Sequence, residues 1–287
     1  MRQLAALTLL ATLALSGAGA AEGPPQRVMS LNLCTDQLIL QLLPPERITS
    51  VTFLSRSTEQ SFLKEKAFTV PINYGTSEEV LRQHPDVVLA GNTSTPAVRE
   101  LLKRIGAPLV EVPRAENFDE IRTVTRLVGR AVGADDEAEA LIAEMDATLA
   151  ELARTRPTTR IVVAGWDGAG NVPAKGTLFD AILTAAGGEN VAGGITATMF
   201  SGRYTTFDLE QLVAMRPDVL AYGSSRIGRM DLAGEQLQHR VVRKLYAGRQ
   251  IVYPETLYSC GLPQTADAAR ELRRAMLGVM AKDAVAP

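Results

Sequence analysis

Two matched glutamates, two distant cysteines and a few loop aromatics are the side chains here with the most chemistry to offer. Glu78 and Glu210 each stand eight residues before the Asp of a Pro-Asp pair, Asp86 and Asp218. An acid in the first turn of a helix complements the helix dipole, an effect of about 0.3–1 kcal/mol, and Glu79 competes for that role beside Glu78. Tyr74, Trp166, Tyr204 and Tyr258 fall in segments read as loops, where flat rings offer contact area at low entropic cost to a large, partly apolar ligand. Trp166, the single tryptophan, lies in Gly165-Trp166-Asp167-Gly168-Ala169-Gly170, a run read as too flexible for a core. Arg203 and Arg56 also lie in loops. A guanidinium facing a cleft would favour an anionic ligand, although Arg56 is expected on the solvated surface.

Cys34 and Cys260 leave three alternatives: a bridge, reduced thiols against a ligand, or small apolar packing. Packing or ligand lining ranks above a disulfide, because a bridge across a cleft mouth would lock out a bulky ligand, and bridging needs Cα atoms within about 7 Å. The two histidines, His84 and His239, have no second His at ligand spacing, which argues against a bare transition-metal site. A Gly-rich phosphate loop, a nucleophile elbow and a His beside a nucleophile are all missing, so neither an enzyme nor a cofactor is expected.

The elements that position these residues follow from an internal repeat. Residues 78–91, from Glu78 through Pro85-Asp86 to Gly91, recur as 210–223, from Glu210 through Pro217-Asp218 to Gly223. Each copy reads as a short helix stopped by proline and followed by a buried apolar strand. Arg27–Leu31 matches Arg160–Ala164 as an opening strand, and Arg104–Val112 matches Tyr246–Tyr253. Nearly continuous Val/Ile/Leu strands with helical crossovers predict an α/β chain of two Rossmann-like lobes built on mostly parallel sheets. Asp119–Arg154 is proline-free and helical in propensity, weakened at Gly129 and Gly133, and predicts a long, rigid connecting helix over 133–156. Thr177–Ala186 reads as a helix ended by Gly187 and Gly188, and Thr265–Met280 as an amphipathic helix over the second sheet. Ligands of such sheets bind at the strands' carboxyl ends, which points to the loops after Leu31, Tyr74, Ala164 and Tyr253 and around Tyr204.

A formal charge of −2 over 287 residues excludes a nucleic-acid or anionic-membrane footprint. Residues 1–20, with Arg2, an apolar run from Leu4 to Leu15 and small residues to Ala20, predict a secretory signal peptide. The expected plan is therefore a lobe over 21–132, the connector over 133–156 and a lobe over 157–287.

The opening strand Arg-Val-Met-Ser-Leu, the repeated Glu…Pro-Asp…Gly unit, the central helix and Ala186-Gly187-Gly188-Glu189-Asn190 together resemble the periplasmic binding proteins for cobalamin and ferric siderophores. The resemblance runs from about Arg27 to Met280. It implies a soluble periplasmic monomer that captures a ligand between its lobes and delivers it to the permease of an ATP-driven importer. It also implies that Glu78 and Glu210 dock onto permease arginines, an encounter that salt weakens. Tyr204 matches a cleft aromatic of the family's cobalamin binder, and with no dense arginine cluster the expected ligand is a corrinoid. The alternative is a ferric siderophore or other iron chelate, with a secreted enzyme on the same fold behind both. The expected cleft lining is Trp166, Tyr204, Tyr74, Tyr258, Cys34, Cys260 and Arg203, with no protein-held metal.

Overall fold

A computed structural model describes residues 23–91, 94, 96–195, 203–228 and 230–283; the expected signal segment lies outside these. The first lobe runs β1 (Val28–Ser30), α1 (Leu33–Leu42), β2 (Ile48–Thr52), α2 (Lys64–Ala67), β3 (Ile72–Asn73), α3 (Ser77–Gln83), β4 (Val87–Gly91), α4 (Pro96–Arg104) and β5 (Leu109–Val112). Its five strands are all parallel, in the order β3-β2-β1-β4-β5. Then come α5 (Phe118–Val132) and α6 (Asp135–Arg154). The second lobe runs β6 (Val162–Gly165), β7 (Asn171–Pro173), α7 (Leu178–Ala186), β8 (Glu189–Asn190), β9 (Tyr204–Thr206), α8 (Leu209–Met215), β10 (Val219–Gly223), α9 (Leu232–Leu237), α10 (Arg240–Leu245), β11 (Gln250–Tyr253) and α11 (Thr265–Asp283). Its main sheet is parallel, in the order β11-β10-β6-β8, with β7 and β9 as a separate antiparallel pair.

The repeat has a physical basis in both lobes. Thr76 and Asp208 cap α3 and α8 with reciprocal capping boxes through Glu79 and Gln211. His84 and Arg216 end those helices in the left-handed region, at φ 43° and 47°. The Asp of each Pro-Asp pair then ties the unit to the opening strand. Asp86 Oδ2 accepts the N–H groups of Gln26 and Arg27, and Asp218 Oδ2 accepts that of Val162.

Alternation along the strands sorts the core into layers. Val28, Val87, Leu89, Val219 and Ala221 join one cluster that continues through α5, α6, α7 and α11 and so spans both lobes. Met29, Val88 and Ala90 face a second cluster with α3 and α4, and Leu220 faces a third with Trp166 and Leu212. The connector expected over 133–156 is one helix, α6, and α5 precedes it as a separate helix. Gly133, at φ 61°, caps α5, and the 20-residue α6 begins two residues later. Arg273 of α11 is buried and donates to the carbonyls of Ala185 and Ala186 and to Thr155 Oγ1, which seals the ends of α7 and α6 together.

Lobe one also buries a carboxylate. Asp36, fully buried in the first turn of α1, accepts the Thr52 N–H at 3.1 Å, the Thr52 hydroxyl at 2.5 Å and the Ser55 hydroxyl at 2.7 Å. Burial outweighs these donors and raises its pKa to about 6. In the unfolded chain an Asp titrates near 3.9, so the stabilisation is complete below that value and is lost as pH rises through 6. Wild type should therefore lose about 2 kcal/mol of unfolding free energy through this group between pH 4 and pH 7. Asp36→Asn should remove that component, read as the difference between the two proteins' urea stabilities at pH 5 and pH 7.5. Parallel pH profiles would refute the assignment.

Candidate functional site

Which surfaces face each other is shown by a covalent bond. Cys34, just after β1, is disulfide-bonded to Cys260, after β11, with Cα atoms 5.3 Å apart. The carboxyl ends of both parallel sheets therefore meet at one interlobe cleft, the usual ligand position for such sheets. This corrects the sequence-based ranking of packing or ligand lining above a bridge. The bond sits at the closed base of the cleft, so it does not obstruct the mouth: Cys260 is buried, and a Cβ on the adjacent Gly261 would collide with the Ala115 carbonyl of the other lobe. Asn32, Val112–Ala115 and Ser259–Gly261 enclose a crevice of only about 40 Å³ there. That is space on the scale of a water molecule, so a large ligand has to sit further out, between the rims.

Trp166 is also corrected. It is 1 % exposed, in the core of lobe two, and its indole N–H donates to the Phe207 carbonyl at 3.3 Å. The glycines that suggested a loose loop tighten it instead. Gly168, at φ 79°, packs where any Cβ would strike the Ala233 carbonyl, and Gly170, at φ 95°, completes the turn into β7. The chain thus leaves β6 with Trp166 still directed inward.

The rims carry rings. Tyr74 is 67 % exposed and stacks on Phe53, 46 % exposed, with centroids 5.3 Å apart. These rings follow β3 and β2, at the cleft end of lobe one. Both are held from behind: Glu79 accepts the Tyr74 N–H, and Asp36 grips Thr52 and Ser55 on either side of Phe53. Tyr204 is half-buried on β9 beside Arg203, whose guanidinium lies 6.0 Å from the ring centroid. Tyr258 is partly buried and stacks on Tyr253 at 4.2 Å, with Phe179 nearby. Burial drives both phenols well above the ordinary tyrosine range, so both are neutral. Between β10 and the first residue of α9, Ile227, Met230 and Leu232 are 64 %, 100 % and 80 % exposed and make up an apolar lip.

Among the described residues, one ion pair crosses the cleft. Glu116, after β5 of lobe one, pairs with Arg203 of lobe two at 2.8 Å, lies 3.7 Å from Arg114, and accepts the Leu178 N–H at the start of α7 at 3.0 Å. Arg56 is half-buried rather than free on the surface. It donates to the carbonyls of Ala67 and Val70 and covers the Phe68 ring, closing the loop before β3. Glu78 and Glu210 occupy the same second position of α3 and α8, and both are exposed. Glu79 is spent on its cap. Although burial opposes it, the N–H groups of Tyr74 and Thr76 hold the Glu79 carboxyl below the usual carboxylate range. His84 and His239 serve helix ends, and among the described residues no cluster of three or more His, Cys, Asp or Glu could hold a metal ion. Sequence reasoning missed Phe53, Glu116 and the apolar lip; the position of Phe53 directly after a strand was the only signal available.

Residues 28–250 match the family model described as periplasmic binding protein. The chain belongs to that family. A cobalamin-binding protein of Halobacterium salinarum is 27% identical over 223 residues, which cover 75% of this chain and 58% of that protein. The chain thus spans less than two thirds of the length of this curated relative. Among solved structures, a periplasmic heme-binding protein from Roseiflexus sp. RS-1 superposes with a TM-score of 0.71 at 22% identity, covering 88% of this chain and 99% of that one. The periplasmic vitamin B12 binding protein of Vibrio cholerae gives a TM-score of 0.66 at 16% identity, covering 90% and 98%. The bilobed fold of two mostly parallel sheets linked by helices is the one these proteins share.

Proposed function

We propose that this chain is the solute-binding component of an ABC importer acting in the periplasm, and that its solute is an anionic iron chelate of the heme or ferric siderophore type. The observation that carries the reading is the convergence of Arg114 and Arg203, one from each lobe, on the single carboxylate of Glu116. Two cations against one anion leave a net positive charge between the lobes, which suits a ligand bearing carboxylates. The exposed Phe53–Tyr74 pair, Tyr204 and the apolar lip offer faces for an extended, partly apolar chelate. The heme-binding protein of similar fold named above supports the same class. A corrinoid is the second reading, favoured by the place of Tyr204 beside the cleft and by the cobalamin-binding relative. Burial of Trp166 removes one of the aromatics expected to face such a ligand.

Titration with heme, neutral and anionic ferric siderophores and cyanocobalamin tests the choice, following quenching of Trp166 and confirmed by calorimetry. Saturable binding of an iron chelate with Kd of about 1 μM or tighter is expected, with cyanocobalamin at least about tenfold weaker. The reverse order would install the corrinoid reading, and silence with every ligand would remove both.

A further inference from the structure

Glu116 does more than accept the Leu178 N–H at the start of α7. It lies at the only point where a charged side chain of lobe one meets one of lobe two in an ion pair among the described residues, between Arg203 at 2.8 Å and Arg114 at 3.7 Å. Its own side chain is 19% exposed, and those of Arg203 and Arg114 are 31% and 36% exposed. Both guanidiniums are thus partly withdrawn from water and still reachable from the cleft. An arginine can pair bidentately with one carboxylate and has donors to spare, whereas one glutamate shared by two arginines leaves cationic capacity over. Arg203 adds a planar surface, since it approaches the face of Tyr204.

We infer that Glu116 is a specificity-determining residue: it is the internal competitor for Arg114 and Arg203, and a ligand carboxylate binds by taking over those arginines from it. This rests on the reading of the solute as an anionic iron chelate and adds to it the chemical group that is recognised. The exchange brings the charge between the lobes into balance, because the entering carboxylate adds a second anion to two arginines that Glu116 alone leaves in excess. It also sets a threshold. A neutral chelate cannot displace Glu116, and a ligand with carboxylates has to offer both arginines a better geometry than Glu116 does. Glu116 retains the Leu178 N–H when it yields the arginines, so its displacement does not leave the carboxylate without a donor.

The test uses the full mature chain and two probes, heme, which carries two propionates, and ferrichrome, a neutral ferric hydroxamate. Glu116→Gln keeps an acceptor for the Leu178 N–H and removes the competing charge. It should tighten heme binding by about tenfold, equivalent to about 1.4 kcal/mol, and change ferrichrome binding less than about twofold. Arg203→Gln should weaken heme by about tenfold or more and again spare ferrichrome. Wild-type heme affinity should fall between 50 mM and 500 mM salt, and that fall should be shallower in Arg203→Gln. Circular dichroism and thermal melts establish that each variant is folded, and the Arg203→Gln and salt series stand even if Glu116→Gln is not. Heme binding that is unchanged or weakened in folded Glu116→Gln, or unchanged in Arg203→Gln, overturns the role of Glu116 while leaving the importer reading intact. Absence of wild-type binding to heme and to every anionic ferric siderophore titrated overturns the iron-chelate reading itself, and this inference with it; where an anionic siderophore binds and heme does not, that siderophore serves as the charged probe.

Discussion

Replacing both Cys34 and Cys260 by serine is expected to lower the unfolding free energy by about 5 kcal/mol, the chain-entropy value for closing so long a loop. The two cysteines are 226 residues apart, so the bond ties nearly the whole described chain into one ring. The effect falls on the unfolded chain, because the native lobes are already joined by α5, α6 and a core that runs through both sheets. Compactness of the real unfolded ensemble reduces the figure, and burial of a serine hydroxyl at Cys260 restores part of it. Urea unfolding of the variant, and of wild type under a reducing phosphine, should give matching losses in midpoint. A variant within about 1 kcal/mol of wild type would show that the bond adds little to what the shared core provides. The native cleft should persist in the reduced protein, since neither the helical connection nor the Glu116–Arg203 pair depends on sulfur.

The sequence made the lobes legible because each repeated residue has one local task. Glu79 and Gln211 close capping boxes, His84 and Arg216 take the left-handed turn before proline, and Asp86 and Asp218 fasten the opening strand. Such tasks are settled within a few residues or between neighbouring strands, so spacing reveals them. The cleft was less legible, because its members meet only through the packing of whole lobes. Whether Cys34 and Cys260 bond depends on how the lobes are docked by α5 and α6, and nothing near either cysteine encodes that. Trp166 misled for a related reason: glycine signals permissive backbone, and permissiveness serves close packing against Ala233 as well as it serves mobility. Glu116 resembles any exposed acid ahead of a helix until Arg203 arrives from the other lobe. The antiparallel β7–β9 pair that carries Tyr204, with Arg203 just before it, was likewise hidden, since its strands are three residues each and are separated by α7 and β8.

That difference between local and assembled features bears on the second large effect expected. Reversing both exposed glutamates, Glu78→Lys with Glu210→Lys, should reduce importer-dependent uptake by about tenfold to a hundredfold while leaving ligand affinity within about twofold. On the proposed reading these carboxylates meet permease arginines, and placing like charges at such a contact costs several kcal/mol. Ligand affinity should hold, because each carboxylate is carried on the outer part of a helix turn and neither belongs to the Glu116–Arg203 contact. Each single reversal should fall between wild type and the double variant, and raising salt should narrow the gap between wild type and variants. Glu79→Gln supplies the control. It weakens the α3 capping box by about 0.5–2 kcal/mol and should lower stability without touching uptake, because Glu79 is turned back onto Tyr74 and Thr76. Uptake equally impaired by Glu79→Gln would mean that the reversals act by loosening α3 and α8. Uptake spared by the double reversal would remove the two glutamates from docking and leave them as acids that complement a helix dipole.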